Sequence, residues 1–186
     1  MLLGGVLSSS VAGAILGCGP RRAGSAGWQP RTLTGDQDEL VATIAELILP
    51  ATDTPGAREA GVNEFVDLLL TDWLDAEGRD AFLERLSGFE SDCLASHGRS
   101  FLELSSDEQM AVLVPLDEQA AALRKAAKEA GLSEVEEPPF LLTMKEWTLA
   151  GYYTSEIGMT QELQHLRISG SYAGCMPLAE VGRSWA

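Results

Sequence analysis

Apolar residues recur at helical spacing through most of this chain, and no stretch alternates with period two for long enough to form a sheet strand. Thr34 followed by Gln37 makes a capping box, and Leu40, Val41, Ile44, Leu47 and Ile48 then follow at helical intervals until Pro50 stops the run. A second amphipathic helix is predicted over residues 62–74, with Phe65, Val66, Leu69 and Trp73 on its apolar side. Between the two lies a Pro- and Gly-rich turn, PATDTPGAREAG, in which Asp53 and Thr54 read as turn and cap residues. A third helix over residues 78–97 buries Phe82, Leu83, Leu86, Phe89 and Cys93. Ser105 with Glu108 forms another capping box, and its helix is expected to reach about Leu113, where Pro115 forces a kink or restart. A charged, alanine-rich helix over residues 116–130 ends at Gly131. After an acidic loop over residues 134–138, Pro139 opens a last helix that runs to Ile157, with Gly158 as its stop. The expected fold is therefore all-α: an irregular bundle of five or six helices, followed by a glycine-rich irregular tail over residues 159–186.

The first 17 residues, MLLGGVLSSSVAGAILG, contain no charge. A membrane helix needs roughly 20 apolar residues, and the glycines and serines here suit a cleaved export segment better than a permanent span. Ile15-Leu16-Gly17-Cys18 looks like a bacterial lipobox, which would make Cys18 a lipidation site and anchor the protein at a membrane surface. The Arg21-Arg22 pair lies after the apolar run, whereas a twin-arginine signal needs it before. The alternative is a buried apolar N-terminal helix. Residues 18–33 read as a tether, and residues 34–186 as one helical domain. An exported protein, periplasmic or anchored on the periplasmic side, is the expectation.

Catalytic chemistry is sparse. His97 and His165 each lack a second ligand at helical spacing, and no CxxC, GxGxxG, GxSxG or P-loop occurs. No cofactor or metal is expected in this chain, which by itself does not read as an enzyme. Its net charge of −15 makes nucleic acid an unsuitable partner. In an oxidising compartment Cys93 and Cys175 are disulfide candidates, with each other or with a partner protein, although Cys93 on a helix face also reads as a small buried residue.

The most distinctive stretches are Gly151-Tyr152-Tyr153-Thr154-Ser155-Glu156-Ile157-Gly158 and Ser169-Gly170-Ser171-Tyr172-Ala173-Gly174-Cys175-Met176-Pro177. With the upstream LILPATDTPGA, residues 47–57, they resemble the gluconate 2-dehydrogenase subunit 3 family, the small subunits of bacterial membrane-associated flavin dehydrogenases. Ser169 stands where that pattern has proline, and the arginine pair before the apolar run is missing. The resemblance implies a non-catalytic accessory subunit that assists export, folding or stability of a large FAD-dependent subunit of the glucose-methanol-choline type. That partner would oxidise a sugar, sugar acid or polyol and pass electrons to a cytochrome c or a quinone.

On that reading Tyr152, Tyr153, Glu156, Tyr172, Gly174 and Cys175 are candidates for the partner interface. Gly170 and Gly174 would let the tail follow a surface closely, Tyr172 could bury a ring while its hydroxyl bonds, and Cys175 would form a disulfide across the interface or to Cys93. Consecutive helix residues point about 100° apart, so ordinary core packing is the alternative for one of Tyr152 and Tyr153. A free-standing cell-envelope lipoprotein, acting as a binding or chaperone-like module, is the alternative function.

Overall fold

The computed structural model describes residues 27–133, 135, 137–166, 168, 170 and 174–185. Among these, the regular elements are helical, with one isolated parallel bridge between Gln164 and Trp185. Helix α1 spans Gly35–Ile48 and opens with the expected box, the Thr34 hydroxyl accepting from the Gln37 amide while the Gln37 side chain accepts from the Thr34 amide. Leu40, Val41 and Ile44 are fully buried, each contributing about 1.5–3 kcal/mol by removal from water.

Helix α2, Val62–Leu68, runs into a π turn at Leu69–Trp73, closed by the Leu74 amide donating to the Leu69 carbonyl. The wider turn corrects the expected apolar face. In an uninterrupted α-helix Trp73 would lie on the same side as Val66, but the extra residue rotates it outward and leaves Val62, Val66 and Leu70 buried.

Helix α3, Ala76–His97, is capped by Asp75 accepting from the Gly78 amide and ends at Gly98, whose φ of 66° only glycine adopts readily. It buries Phe82, Leu86, Phe89 and Cys93 as expected. A 3-10 turn, Phe101–Glu103, leads into helix α4, Ser106–Glu129. The helix does not end near Leu113 and restart at Pro115, as one branch of the expectation had it, but runs through the proline. Proline removes the bond to the carbonyl of Ala111, but both residues are exposed, where water can satisfy that carbonyl, while Leu113 and Leu116 hold the helix to the core on either side.

Helix α5, Phe140–Thr154, is the central element and packs against α1, α2, α3 and α4. An aromatic chain ties it to α3: Phe82 stacks on Trp147 with ring centroids 4.7 Å apart, and Phe89 lies 5.2 Å from Phe140 and 5.1 Å from Phe101. Helix α5 ends earlier than expected, at Thr154, because Ser155 is extended. A second π turn follows at Gly158–Glu162, and a short α6, Leu178–Val181, lies within the tail.

The domain also begins earlier than residue 34. The carboxylate of Asp67, buried on α2, accepts from the backbone amides of Arg31, Thr32 and Leu33 at 2.8–2.9 Å. Leu33 is thereby drawn into the core, so the expected tether stops short of Arg31. The expected export segment at residues 1–17, Cys18, Ser169 and Tyr172 lie outside the described residues.

Candidate functional site

Two short stretches far apart in sequence meet at one end of the domain. The loop after α1 is folded around the Glu46 carboxylate, which accepts from the Ala51 amide at 3.0 Å and the Arg58 amide at 2.9 Å. Gly56 passes directly over that carboxylate. A Cβ there would collide with both carboxylate oxygens and come within 2.6 Å of the Ala51 nitrogen, so the loop accepts only glycine at this position. Ala57, the next residue, is fully buried, and its amide donates to the Leu49 carbonyl.

The end of α5 closes onto this loop. The Tyr152 hydroxyl donates to the Pro55 carbonyl at 2.8 Å, and the Thr54 hydroxyl donates to Glu162 on the second π turn at 2.7 Å. Burial pushes the Tyr152 phenol above its ordinary value, which keeps it protonated as a donor. Ser155 serves both neighbouring elements: its hydroxyl donates to the Tyr152 carbonyl at 2.6 Å and accepts from the Gly158 amide at 3.0 Å. Gly158 is not the left-handed helix stop that its position suggests. It is buried against the Tyr152 carbonyl with no room for a side chain.

Tyr153 packs edge-on against Tyr152, with centroids 5.3 Å apart, and remains 37% exposed. It lines an open polar cleft of about 710 Å³ together with Asp53, Thr54, Glu162 and Arg183. The C-terminal tail borders the same cleft. Its neck is closed by Gln164, whose amide donates to the Ser184 carbonyl at 2.8 Å and whose side chain donates to the carbonyls of Val181 and Arg183 at 2.7 Å. The Arg183 guanidinium returns a bond to the Gln161 carbonyl. Along this segment Leu166, Ile168, Met176 and Trp185 are exposed, Ile168 at 86%.

The residues proposed from sequence separate into distinct places. Tyr152 is core, 4% exposed, which corrects its assignment to a partner interface: its ring is enclosed and its hydroxyl is used within the chain. Tyr153, Glu156, Gly174 and Cys175 are exposed. Cys93 and Cys175 are both free, and no bond joins them. Cys93 is buried on α3, where burial raises its thiol pKa, and it borders an apolar groove of about 360 Å³ between α3, α4 and α5. Sequence reasoning missed Glu46, Asp67 and Gln164. Each is a lone polar residue that bonds backbone groups distant in sequence, so no local spacing signals it.

Among the described residues, no group of three or more His, Cys, Asp and Glu side chains is placed to hold a metal ion. Among them, too, no helix is long and apolar enough to cross a membrane.

Comparison with curated proteins and with solved structures returned no match. The family model for gluconate 2-dehydrogenase subunit 3 matches residues 35–170, a span that contains the α1 loop, the end of α5 and the start of the tail. The chain belongs to the gluconate 2-dehydrogenase subunit 3 family.

Proposed function

We propose that this protein is the non-catalytic accessory subunit of a periplasmic or membrane-associated dehydrogenase, and that it assists export, folding or stability of a large FAD-containing subunit of the glucose-methanol-choline type. The substrate class is a sugar, sugar acid or polyol, with a cytochrome c or a quinone as electron acceptor. FAD belongs to the partner. The observation that carries this reading is the C-terminal segment: the large apolar side chains of Leu166, Ile168, Met176 and Trp185 stay exposed, as does Tyr153 at the end of α5, although Gln164 holds the neck of the segment closed. Exposed apolar side chains concentrated in one segment mark an interaction surface. A fixed neck lowers the ordering cost of docking.

The reading assigns Tyr153, Glu156, Tyr172, Gly174 and Cys175 to the partner interface, with the exposed Cys175 thiol as the interfacial disulfide candidate. Lipidation at Cys18 belongs to the same reading and would keep the complex at the membrane.

The test is co-expression with the neighbouring gene, which this reading expects to encode the flavin subunit, purification through a tag on the small chain, and an absorbance scan with reducing and non-reducing gels. A co-purifying yellow protein with flavin-dependent sugar oxidation supports the proposal. A band that separates only on reduction, and is lost in Cys175→Ser, places the disulfide across the interface. A colourless monomer that leaves the flavin subunit's yield unchanged refutes the proposal and favours an envelope lipoprotein acting alone.

A further inference from the structure

The apolar groove of about 360 Å³ between α3, α4 and α5 reaches into the core. Phe89, Cys93 and Leu141, all buried, lie along its floor, and Val112, Leu116 and Phe140 form its walls. Its volume is that of a small-molecule pocket, in which apolar walls supply affinity and a few polar groups fix orientation.

Two residues that work against their own helices border this groove from opposite sides. Gly88 lies in the middle of α3 without a positive φ, and a Cβ there would meet nothing within 4 Å, so the fold has no need of glycine at this point. Glycine nevertheless weakens a helix interior. Pro115 stands inside α4, where it gives up a backbone hydrogen bond. Glycine leaves the mouth of the groove open, and the proline ring adds a rigid apolar wall without an N–H. Local choices that oppose the fold concentrate at functional sites.

The charges give the groove a direction. Arg85 stands at one end, where its guanidinium donates to the Pro138 carbonyl at 3.0 Å and keeps further N–H donors to spare. Arg31, Arg58, Arg79, Arg99 and Arg124 each pair with a carboxylate, whereas among the described residues Arg85 pairs with none. Glu137, beside Pro138 in sequence, is exposed and does not line the groove. Asp92 lines it two turns further along α3, about 10 Å from Arg85 on the helix axis, and repels an anion from that end. From Arg85 to His97 the groove follows α3 for about 18 Å, which suits an extended chain better than a compact ring.

We infer that this groove binds a free fatty acid, its carboxylate paired with Arg85 and its hydrocarbon chain laid over Phe89 and Cys93. The site uses neither the tail nor the flavin subunit, so it stands or falls separately from the proposed function.

The full chain, purified and stripped of lipid, is titrated by calorimetry with decanoate below its micelle concentration, and with decanol as the same chain without the charge. One saturable site is expected for the acid. Arg85→Gln should weaken the acid about 10- to 100-fold, the worth of a charge-assisted hydrogen bond, and leave the alcohol unchanged. Gly88→Leu should abolish binding of both by filling the groove, with a melting temperature no lower than wild type. In a Cys18→Ser/Cys175→Ser chain, decanoate should slow alkylation of Cys93, the one remaining thiol, and this protection decides the matter if Gly88→Leu melts lower. Acid and alcohol weakened alike by Arg85→Gln would place the carboxylate elsewhere and overturn the inference. Binding that survives in a folded Gly88→Leu is adsorption to another apolar surface and overturns it too. So does the absence of saturable binding, or a Cys93 protected only in complex with another protein, since that protein then covers the groove.

Discussion

The Tyr152 hydroxyl donates to the Pro55 carbonyl at 2.8 Å, joining the last turn of α5 to the loop after α1 across 97 positions of sequence. That bond, with Thr54 to Glu162, makes one rigid corner from two stretches that each look like an isolated loop in the sequence. Tyr152→Phe should therefore cost about 0.5–1.5 kcal/mol, the net worth of one hydrogen bond, while keeping the ring in place. Tyr152→Ala should cost roughly 3–5 kcal/mol, as truncation of a buried aromatic does. Urea unfolding of both variants checks the order. If Tyr152→Phe matches wild type and its loop amides exchange no faster, the bond does not hold the corner.

Glycines separate by what surrounds them. At Gly158 a Cβ would strike the Tyr152 carbonyl, and at Gly56 it would strike the Glu46 carboxylate, whereas at Gly88 inside α3 nothing lies within 4 Å. Alanine at 56 or 158 should destabilise the domain by about 1–3 kcal/mol through forced backbone movement. Alanine at 88 should stabilise it by about 0.5–1 kcal/mol, since helix propensity is all that changes. Thermal melts of the three variants give the comparison. A stabilising Gly158→Ala would show that the corner is looser than its geometry.

The helices were legible in the sequence because their determinants are local. Thr34 with Gln37, Ser105 with Glu108, and Gly98 each act within one turn of the element they start or stop. What local patterns hid was tertiary. Trp73 has the right spacing for burial, yet one inserted residue turns it to the surface, and no propensity marks a π turn at Leu69. Pro115 carries the strongest helix-breaking signal in the chain, and a water-facing position makes it tolerable. The candidate site was half legible. Its two stretches stand out as unusual sequences, but that Tyr152 is core and Tyr153 surface depends on which carbonyl the phenol can reach. The clamps made by Glu46, Asp67 and Gln164 leave no sequence trace, because their partners are backbone groups.

Two buried polar side chains should respond to substitution in opposite directions. Asp67 is 1% exposed and its carboxylate accepts from three backbone amides, so Asp67→Ala strands three donors and should cost on the order of 3 kcal/mol or more. Thr148 is fully buried, and among the described residues its hydroxyl has no partner. Thr148→Val keeps the shape and removes the orphaned group, and should stabilise by about 1 kcal/mol. Denaturant midpoints settle both; a destabilised Thr148→Val would reveal a partner for that hydroxyl.

Glu108 supplies an acid-sensitive contribution. Its carboxylate accepts from the Ser105 amide and hydroxyl and from Arg99, each at 2.8 Å, and these bonds lower its pKa from 4.5 to about 2. A carboxylate held below its unfolded value adds stability that is complete above pH 4.5 and is lost as the pH falls towards about 2. Because Glu108 is at the surface, the effect is discounted by solvent screening. The stability gap between wild type and Glu108→Gln should hold steady above that window and close within it. A gap independent of pH across the window would show that the capping bonds do not favour the ionised form.

Gln164 offers a way to separate the tail's docking role from the stability of the domain. Its side chain and amide close the neck of the tail through bonds to Val181, Arg183 and Ser184, while the helical core is built elsewhere. Gln164→Ala should leave the melting temperature within a degree or two, since changes at partly exposed sites away from the core usually fall within about 0.5 kcal/mol. Limited proteolysis should then cut faster between residues 165 and 183, because a segment freed at one end samples many more conformations. If the tail docks as a preorganised element, the same variant should recover less flavin subunit in co-purification, with the loss appearing mainly as faster dissociation. Unchanged recovery from a tail shown by proteolysis to be loosened would place the partner's contacts on the helical body instead, with Tyr153 and Glu156 the first positions to substitute.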